Sequence, residues 1–287
     1  MVNKVSFSII IGFILIIGAI VSSIILHFYF WYTFYLVGAF MLFGSLNYKT
    51  HSPSVYSYIL KRQWKPFFVI YGLALLIGLV IDIIYGRTFS SLWYYPHLDG
   101  FWNFFFPVFL YYPFGAFQVY EIFQLTKSTL KKYLPSKIPY SFSSRIKEMI
   151  INFLIVLGIL GIILPILNYY LNNNIYRNEL MVLIMICTPF FMDALVYKLN
   201  KQSIFLDFLQ GNPLMIAAMI IGWFVCAFLT EFPNTYSWEW IYTNIPFVKT
   251  EFLKVNLLIF TFGWFFLVFI PVRFIDLIKE ILKRYYE

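Results

Sequence analysis

The chain has 287 residues, of which 61% are hydrophobic and only 12% charged, with a net charge of +8 and a mean hydropathy of +0.78. Soluble domains run at about 45–50% apolar and about 25% charged, so no water-facing globule absorbs this excess. The basic residues gather between apolar blocks rather than on one soluble face, which excludes a nucleic-acid partner and leaves a lipid bilayer as the expected surroundings.

No charged side chain occurs between Lys4 and Lys49. A bilayer core takes about 20 helical residues per crossing, so this run predicts a hairpin of helices at about 7–26 and 29–46, turning near His27 to Phe30. The apolar stretch exceeds the roughly 7–15 residues of a signal-peptide core and a second span follows at once, so a retained first helix is expected. Pro66 precedes a third helix at about 67–85, which ends at Gly86. A fourth is expected at about 101–123, a fifth at about 149–169 and a sixth at about 180–197. Pro213 opens a seventh at about 213–231, and Lys254 precedes an eighth at about 255–277. The expected fold is all-α: a polytopic transmembrane bundle of about eight helices, one integral membrane domain over 1–287.

With the N-terminus inside, the inner segments hold seventeen of the 21 basic residues, and the outer loops hold only Arg87, Arg177, Lys249 and Lys254. That bias predicts both termini on the cytoplasmic side of a cell membrane. The outer loops are rich in Trp, Tyr and Asn, as in Leu92 to Pro96, Asn172 to Tyr176 and Thr235 to Tyr242. Amphipathic rings favour the headgroup level. The longest inner loop, Lys127 to Lys147, is expected to lie on anionic headgroups.

A weak internal repeat relates 67–125 to 213–279. Each part is a hairpin around an aromatic outer loop, with an acid near the outer helix end (Asp82, Glu231) and a Trp about ten residues later (Trp93, Trp240). A proline precedes an acid near the inner end of helices four, six and eight: Pro113 and Glu121, Pro189 and Asp193, Pro271 and Asp276.

Charge inside a membrane costs about 2.5–3.5 kcal/mol on insertion scales, so acids within spans are the first candidates for chemistry. Asp82 and Glu231 form an outer layer; Glu121, Asp193 and Asp276 form an inner one. The inner acids each lie near a cytoplasmic lysine (Lys127, Lys198, Lys279) and read as wet, paired interface residues, Asp276 also having Arg273 three positions away. The outer pair is the candidate catalytic pair, a carboxylate couple beneath an aromatic lid able to act as general acid and base on a lipophilic substrate. Trp93, Tyr94, Asn234, Trp240 and Tyr242 are the candidate substrate-binding residues around it, and Glu121 and Asp193 are secondary acids. The bland alternative leaves Asp82 and Glu231 as helix-end residues at headgroup level.

Neither a metal nor a cofactor is expected. The histidines His27, His51 and His97 show no metal-binding spacing, although a site from His97, Asp99, Asp82 and Glu231 can be drawn. Cys187 and Cys226 each sit inside an apolar block and read as small buried hydrophobes. Nucleotide-binding and serine-hydrolase motifs are absent, as are paired Asp-rich motifs and a lysine mid-way along the last span. Gly158 and Gly161, and Ala218 and Gly222, read as close helix packing.

The order of acid, Trp-bearing loop and Pro-then-acid helix end resembles the repeated hairpins of integral-membrane carotenoid enzymes of the lycopene-cyclase type. Asp82, Trp93, Pro113 and Glu121 carry it in the first copy, and Glu231, Trp240, Pro271 and Asp276 in the second. The chain lacks the adjacent Pro-x-acid-acid group of that pattern. The resemblance implies an isoprenoid substrate. Two functional readings stand: an enzyme or binder of an isoprenoid, carotenoid-like or other lipid at the outer membrane face, and a proton- or cation-coupled transporter or channel using the same carboxylates. Few polar groups beyond Thr188 and Thr261 occupy the central turns, which favours a one-sided lipid site.

Overall fold

The computed structural model describes residues 2–135, 139–171, 177–246, 250–252 and 255–286. The Asn172 to Tyr176 loop and Lys137, Lys249 and Lys254, all used above, lie outside the described residues. The first hairpin is α1 (Val2–Leu26) and α2 (Trp31–Lys49), with the reversal at His27 to Phe30. His27 turns the chain at a φ of 50° and its Nδ1 lies 2.9 Å from the Tyr236 carbonyl oxygen. A short helix α3 (Tyr56–Leu60) leads into α4 (Trp64–Gly78), whose last turns widen into π-helix over Leu79–Phe89. The next rod is composite: α5 (Trp102–Phe105), π-helical turns over Phe106–Tyr111, then α6 (Tyr112–Leu130). The second half of the chain follows the same order. α7 (Ser144–Tyr170) and α8 (Arg177–Asn200) pair, short α9 (Ile204–Leu209) leads into α10 (Pro213–Ser237), and π-helical turns over Ile259–Gly263 open α11 (Trp264–Tyr286).

Five of these helices are long and apolar enough to cross a membrane: Lys4–Leu26, Trp64–Phe89, Ser144–Tyr170, Asn178–Asn200 and Pro213–Ser237. The protein is therefore a multi-pass membrane protein built as an α-helical bundle. The rods that fall short (α2, α5–α6 and α11) lie among other helices and can carry polar groups there. Phe117, Gln118 and Glu121 on α6 are buried, as are Val272, Arg273 and Ile275 on α11. The peripheral helices are the reverse. Phe7, Ile10, Phe13 and Ile14 on α1, and Phe153, Val156, Leu160 and Ile163 on α7, face outward. Rows of exposed apolar side chains are costly in water and neutral in lipid.

Local sequence explains most boundaries. Ser143 caps α7 by accepting from the Ile146 N–H, Ser203 caps α9 from Leu206, and Asn212 caps α10 from Met215 ahead of Pro213 in its first turn. α7 and α8 meet where Gly158 packs on Phe191 and Gly161 on Cys187, so a Cβ at either glycine has no room. Gly222, read beforehand as another close approach, stands at ordinary contact distance from Phe123. Several expected ends shift: α6 runs to Leu130 and α11 to Tyr286, beyond the expected 123 and 277. α10 runs on past Glu231 and Pro233 to Ser237, because Glu231 is buried rather than placed at a wet helix end. The last rod starts later than 255, because Val255–Asn256 pairs with Glu251–Phe252 as a two-residue hairpin ladder.

Of the inner-layer acids, Glu121 and Asp193 are buried and hold the two short helices rather than meeting solvent, while Asp276 is partly exposed. Glu121 Oε1 accepts from Ser54 Oγ (2.9 Å), Val55 N (2.7 Å) and Tyr56 N (3.1 Å), while Asn47 Nδ2 donates to Oε2 (2.7 Å). Asp193 accepts from Ser203 Oγ (2.5 Å), Ile204 N (2.9 Å) and Phe205 N (3.1 Å). The three donors in each set correspond at a constant spacing of 149 positions: 54 and 203, 55 and 204, 56 and 205. The position matching Asp193 in the first half is Gly44. Its missing side chain leaves the space that Tyr56 fills, a Cβ there having no room beside the Tyr56 Cβ, and the carboxylate for these donors comes from Glu121 instead. The lysines expected as partners pair elsewhere: Lys198 bridges to Glu148 at 2.5 Å. Asp193 instead takes Arg273 at 2.6 Å, and Asp276 takes the same guanidinium at 2.9 Å, as the spacing of those two residues predicts.

Asp193→Asn removes the buried one of the two carboxylates on the Arg273 guanidinium, which keeps Asp276, and is expected to cost about 1–3 kcal/mol; Glu121→Ala frees two buried N–H groups at about 1–3 kcal/mol each. The double variant Asp193→Asn/Arg273→Met, which keeps an acceptor for the α9 donors, is expected to recover most of the first loss. Reaction of the buried thiols Cys187 and Cys226 with a thiol dye during heating reads all three. Equal melting of Asp193→Asn and the double variant would refute the pairing.

Candidate functional site

Glycine-poor aromatic loops close the bundle at the end opposite the basic segments. Trp93–Tyr94 and Ile241–Tyr242 form a two-stranded antiparallel ribbon, with Trp93 opposite Tyr242 and Tyr94 opposite Ile241. The Thr243 N–H and hydroxyl extend it by donating to the Leu92 and Ser91 carbonyls at 2.7 and 2.6 Å. The loops that follow Asp82 and Glu231 in sequence are thus one structure.

Both acids are fully buried beneath that ribbon and each holds the residue eleven positions on: Asp82 accepts from the Trp93 indole and Glu231 from the Tyr242 hydroxyl. Their second partners differ. Asp82 is bridged by Arg87 at 2.7 Å, and Arg87 also donates to the Asn103 carbonyl and side-chain oxygens at 2.9 and 2.6 Å. Glu231 Oε1 accepts from Tyr242 and from the Trp264 indole, both at 2.7 Å. The Trp240 indole also lies beside this carboxylate, and Glu231 Oε2 has no hydrogen-bond partner among the described residues. Asp82 is therefore one side of an ion pair, and Glu231 is the acid without a cation at hand.

A cavity of about 470 Å³ lies under the ribbon. Its head is lined by Trp93, Tyr95, Trp240 and Tyr242 from the loops and by Tyr32, Tyr111, Tyr112 and Trp264 from the helices. Its body continues between α4, α6, α8 and α11 as far as Val119 and Phe274. Leu258 to Phe274 covers roughly 20 Å of helix at about 1.5 Å per residue, so the space is long and narrow. The lining is almost wholly carbon, and its volume is within the about 300–1,000 Å³ usual for small-molecule sites. All three π-helical stretches among the described residues border it, through Ile81, Tyr111 and Ile259. Wide turns of this kind recur at functional sites.

Of the residues singled out from sequence, Trp93, Trp240 and Tyr242 line the cavity. Tyr94 does not: its position in the ribbon turns it outward, about half exposed. Asn234 does not either; its side chain clamps the Trp240 backbone, donating to the carbonyl at 3.0 Å and accepting from the N–H at 3.3 Å. Glu121 and Asp193 belong to the anchors of α3 and α9. His97 stacks on Tyr29 with centroids 4.6 Å apart, and no group of three or more potential metal ligands occurs among the described residues. Sequence reasoning missed Tyr32, Tyr111, Tyr112 and Trp264, which sit in apolar runs without punctuation. It also passed over Glu239, a third buried acid, which accepts from the Tyr111 hydroxyl and from the Tyr32 N–H at 3.2 Å. An acid flanked by Trp238 and Trp240 was the available signal.

No protein-family model, curated protein or solved structure matches this chain.

Burial pushes the Glu239 carboxyl, in the loop beyond α10, up to about 8, against the opposing pull of the Tyr111 hydroxyl and the Tyr32 N–H. A carboxyl raised on folding stabilises the fold below its unfolded value of about 4.5, and that contribution is lost as pH rises through the folded value. The melting temperature of the wild type is expected to fall between about pH 4.5 and 8 relative to Glu239→Gln and to level off above that, with the two alike below pH 4.5. Parallel melting curves across that range would refute the assignment.

Proposed function

We propose that this protein binds, and acts on, a lipophilic molecule held in the cavity beneath the aromatic ribbon. The long apolar cavity itself carries this reading. A lipid-soluble chain is the ligand that such walls accept without leaving polar groups unpaired. Glu231 does not line the cavity but stands behind its wall, free of a counter-ion and bonded to the lining Tyr242 hydroxyl, and in this reading it exchanges a proton with the occupant through that hydroxyl. Asp82, neutralised by Arg87, positions Trp93 in the roof instead of sharing the chemistry. The transport reading needs polar groups through the apolar layer, and the cavity offers Thr230, tyrosine hydroxyls and indole N–H groups, gathered at its head.

In this reading the eight rods are eight crossings of a cell membrane, with both termini cytoplasmic and the ribbon at the outer face. The bias of basic residues supports that orientation. The corresponding anchors of α3 and α9 support an internal duplication about an axis along the membrane normal.

Native mass spectrometry of protein purified in mild detergent is expected to show a defined long-chain lipid on the wild type and none on Glu231→Gln at unchanged melting temperature. Bulk phospholipid alone on both would sink the reading. Single cysteines placed at Tyr94 and Lys131 should label from opposite sides of sealed vesicles; labelling from one side would overturn the topology.

A further inference from the structure

The head of the cavity has an unusual chemistry, because four of its rings spend their polar edges on buried carboxylates. Trp93 donates to Asp82, Tyr111 to Glu239, and Tyr242 and Trp264 to Glu231. With their N–H and O–H groups engaged, these rings have little hydrogen bonding left to offer an occupant. What remains is ring carbon surface, made more electron-rich by donation to an anion. An aromatic face carries negative quadrupolar charge and attracts a cation, most strongly where water is excluded. The cluster already takes one: the Arg87 guanidinium lies 5.3 Å from the Tyr95 ring centroid.

Charge points the same way. Asp82 and Glu231 are buried around this head, Glu239 beside them being protonated at neutral pH, and Arg87 is the single cation bonded to either of the two among the described residues. That cation is committed to Asp82 and Asn103. A second positive charge in the cavity would sit near Glu231, which has no cation of its own and stands behind the Tyr242 and Trp264 rings. An ordinary ammonium would demand hydrogen-bond acceptors that the carbon walls do not supply. A quaternary ammonium demands none, since its charge is spread over methyl groups.

We propose that the aromatic head takes a quaternary ammonium, borne on a hydrocarbon chain that fills the body of the cavity towards Val119 and Phe274. This rests on the lipid-cavity reading and adds the charge of the ligand to it. The space runs from a ring-walled, acid-backed end to an aliphatic one, which is the polarity of a single-chain lipophilic cation.

The test uses the full-length protein in nanodiscs of neutral lipid. Dodecyltrimethylammonium is offered together with its neutral isostere, the same hydrocarbon with carbon in place of nitrogen. Native mass spectrometry counts each on the protein, normalised to its concentration in the disc. The cation is expected to be retained at least about tenfold more tightly, the factor that about 1.4 kcal/mol of cation–ring and charge attraction gives. Glu231→Gln is expected to remove most of that preference, and an unchanged melting temperature shows that the variant is folded. Equal retention of the two ligands by the wild type would overturn the inference and leave the lipid cavity standing. Retention of neither would overturn both. A preference undiminished in Glu231→Gln would belong to another surface and would overturn the inference as well.

Discussion

Two carboxylates pinned under one aromatic ribbon give this molecule its working end. Asp82 and Glu231 reach the ribbon from different helices, and each grips the strand residue eleven positions further along its own chain. Because those two residues, Trp93 and Tyr242, face each other across the ladder, the grips also hold the halves of the bundle together. Buried acids are costly in an apolar layer unless fully bonded. Here the cost is offset by indole and phenol donors that are themselves apolar bodies, so the roof is built without bringing water in. The cavity, its ring-lined head and the differing fates of the two acids all follow from that arrangement.

The two halves then diverge by one residue. Arg87 neutralises Asp82, whereas the position 149 residues later is Tyr236, which leaves Glu231 to be solvated by ring donors alone. A duplicated framework with one charged and one uncharged partner can separate a positioning carboxylate from a reactive one. In our reading, that is the division of labour between Asp82 and Glu231.

Much of the architecture was legible in the sequence because lipid imposes a crude rule. Uncharged runs must be helical, so the long apolar helices and the hairpin at His27 could be read from them, whereas the short α3 and α9 and the far ends of α6 and α11 could not. The rule fails where protein, not lipid, surrounds a helix. Glu231 ended its predicted span because a charge reads as a boundary, yet the helix passes it unbroken. The site was legible only in its punctuation. Asp82, Glu231, Trp93 and Trp240 stood out as polar or amphipathic residues against apolar blocks. Tyr32, Tyr111 and Trp264 did not, being aromatic residues inside aromatic runs. The ribbon joining the two loops left no local mark, since pairing across 148 residues of chain depends on how the rods pack. The inner acids were read as solvent-facing because nothing in a sequence shows which backbone N–H groups a carboxylate will meet.

The exchange of Gly44 for Asp193 carries a consequence for the order of assembly. Asp193 precedes its donors by about ten residues, so α9 can be capped as soon as it leaves the ribosome. The acid that caps α3 follows Ser54 by 67 residues and arrives with α6, two rods later. Until then the Val55 and Tyr56 N–H groups have no carboxylate within reach, and the link between α2 and α4 is unanchored. The first half of the chain must therefore wait during synthesis for a part that the second half already has, and the first four rods settle together instead of one at a time.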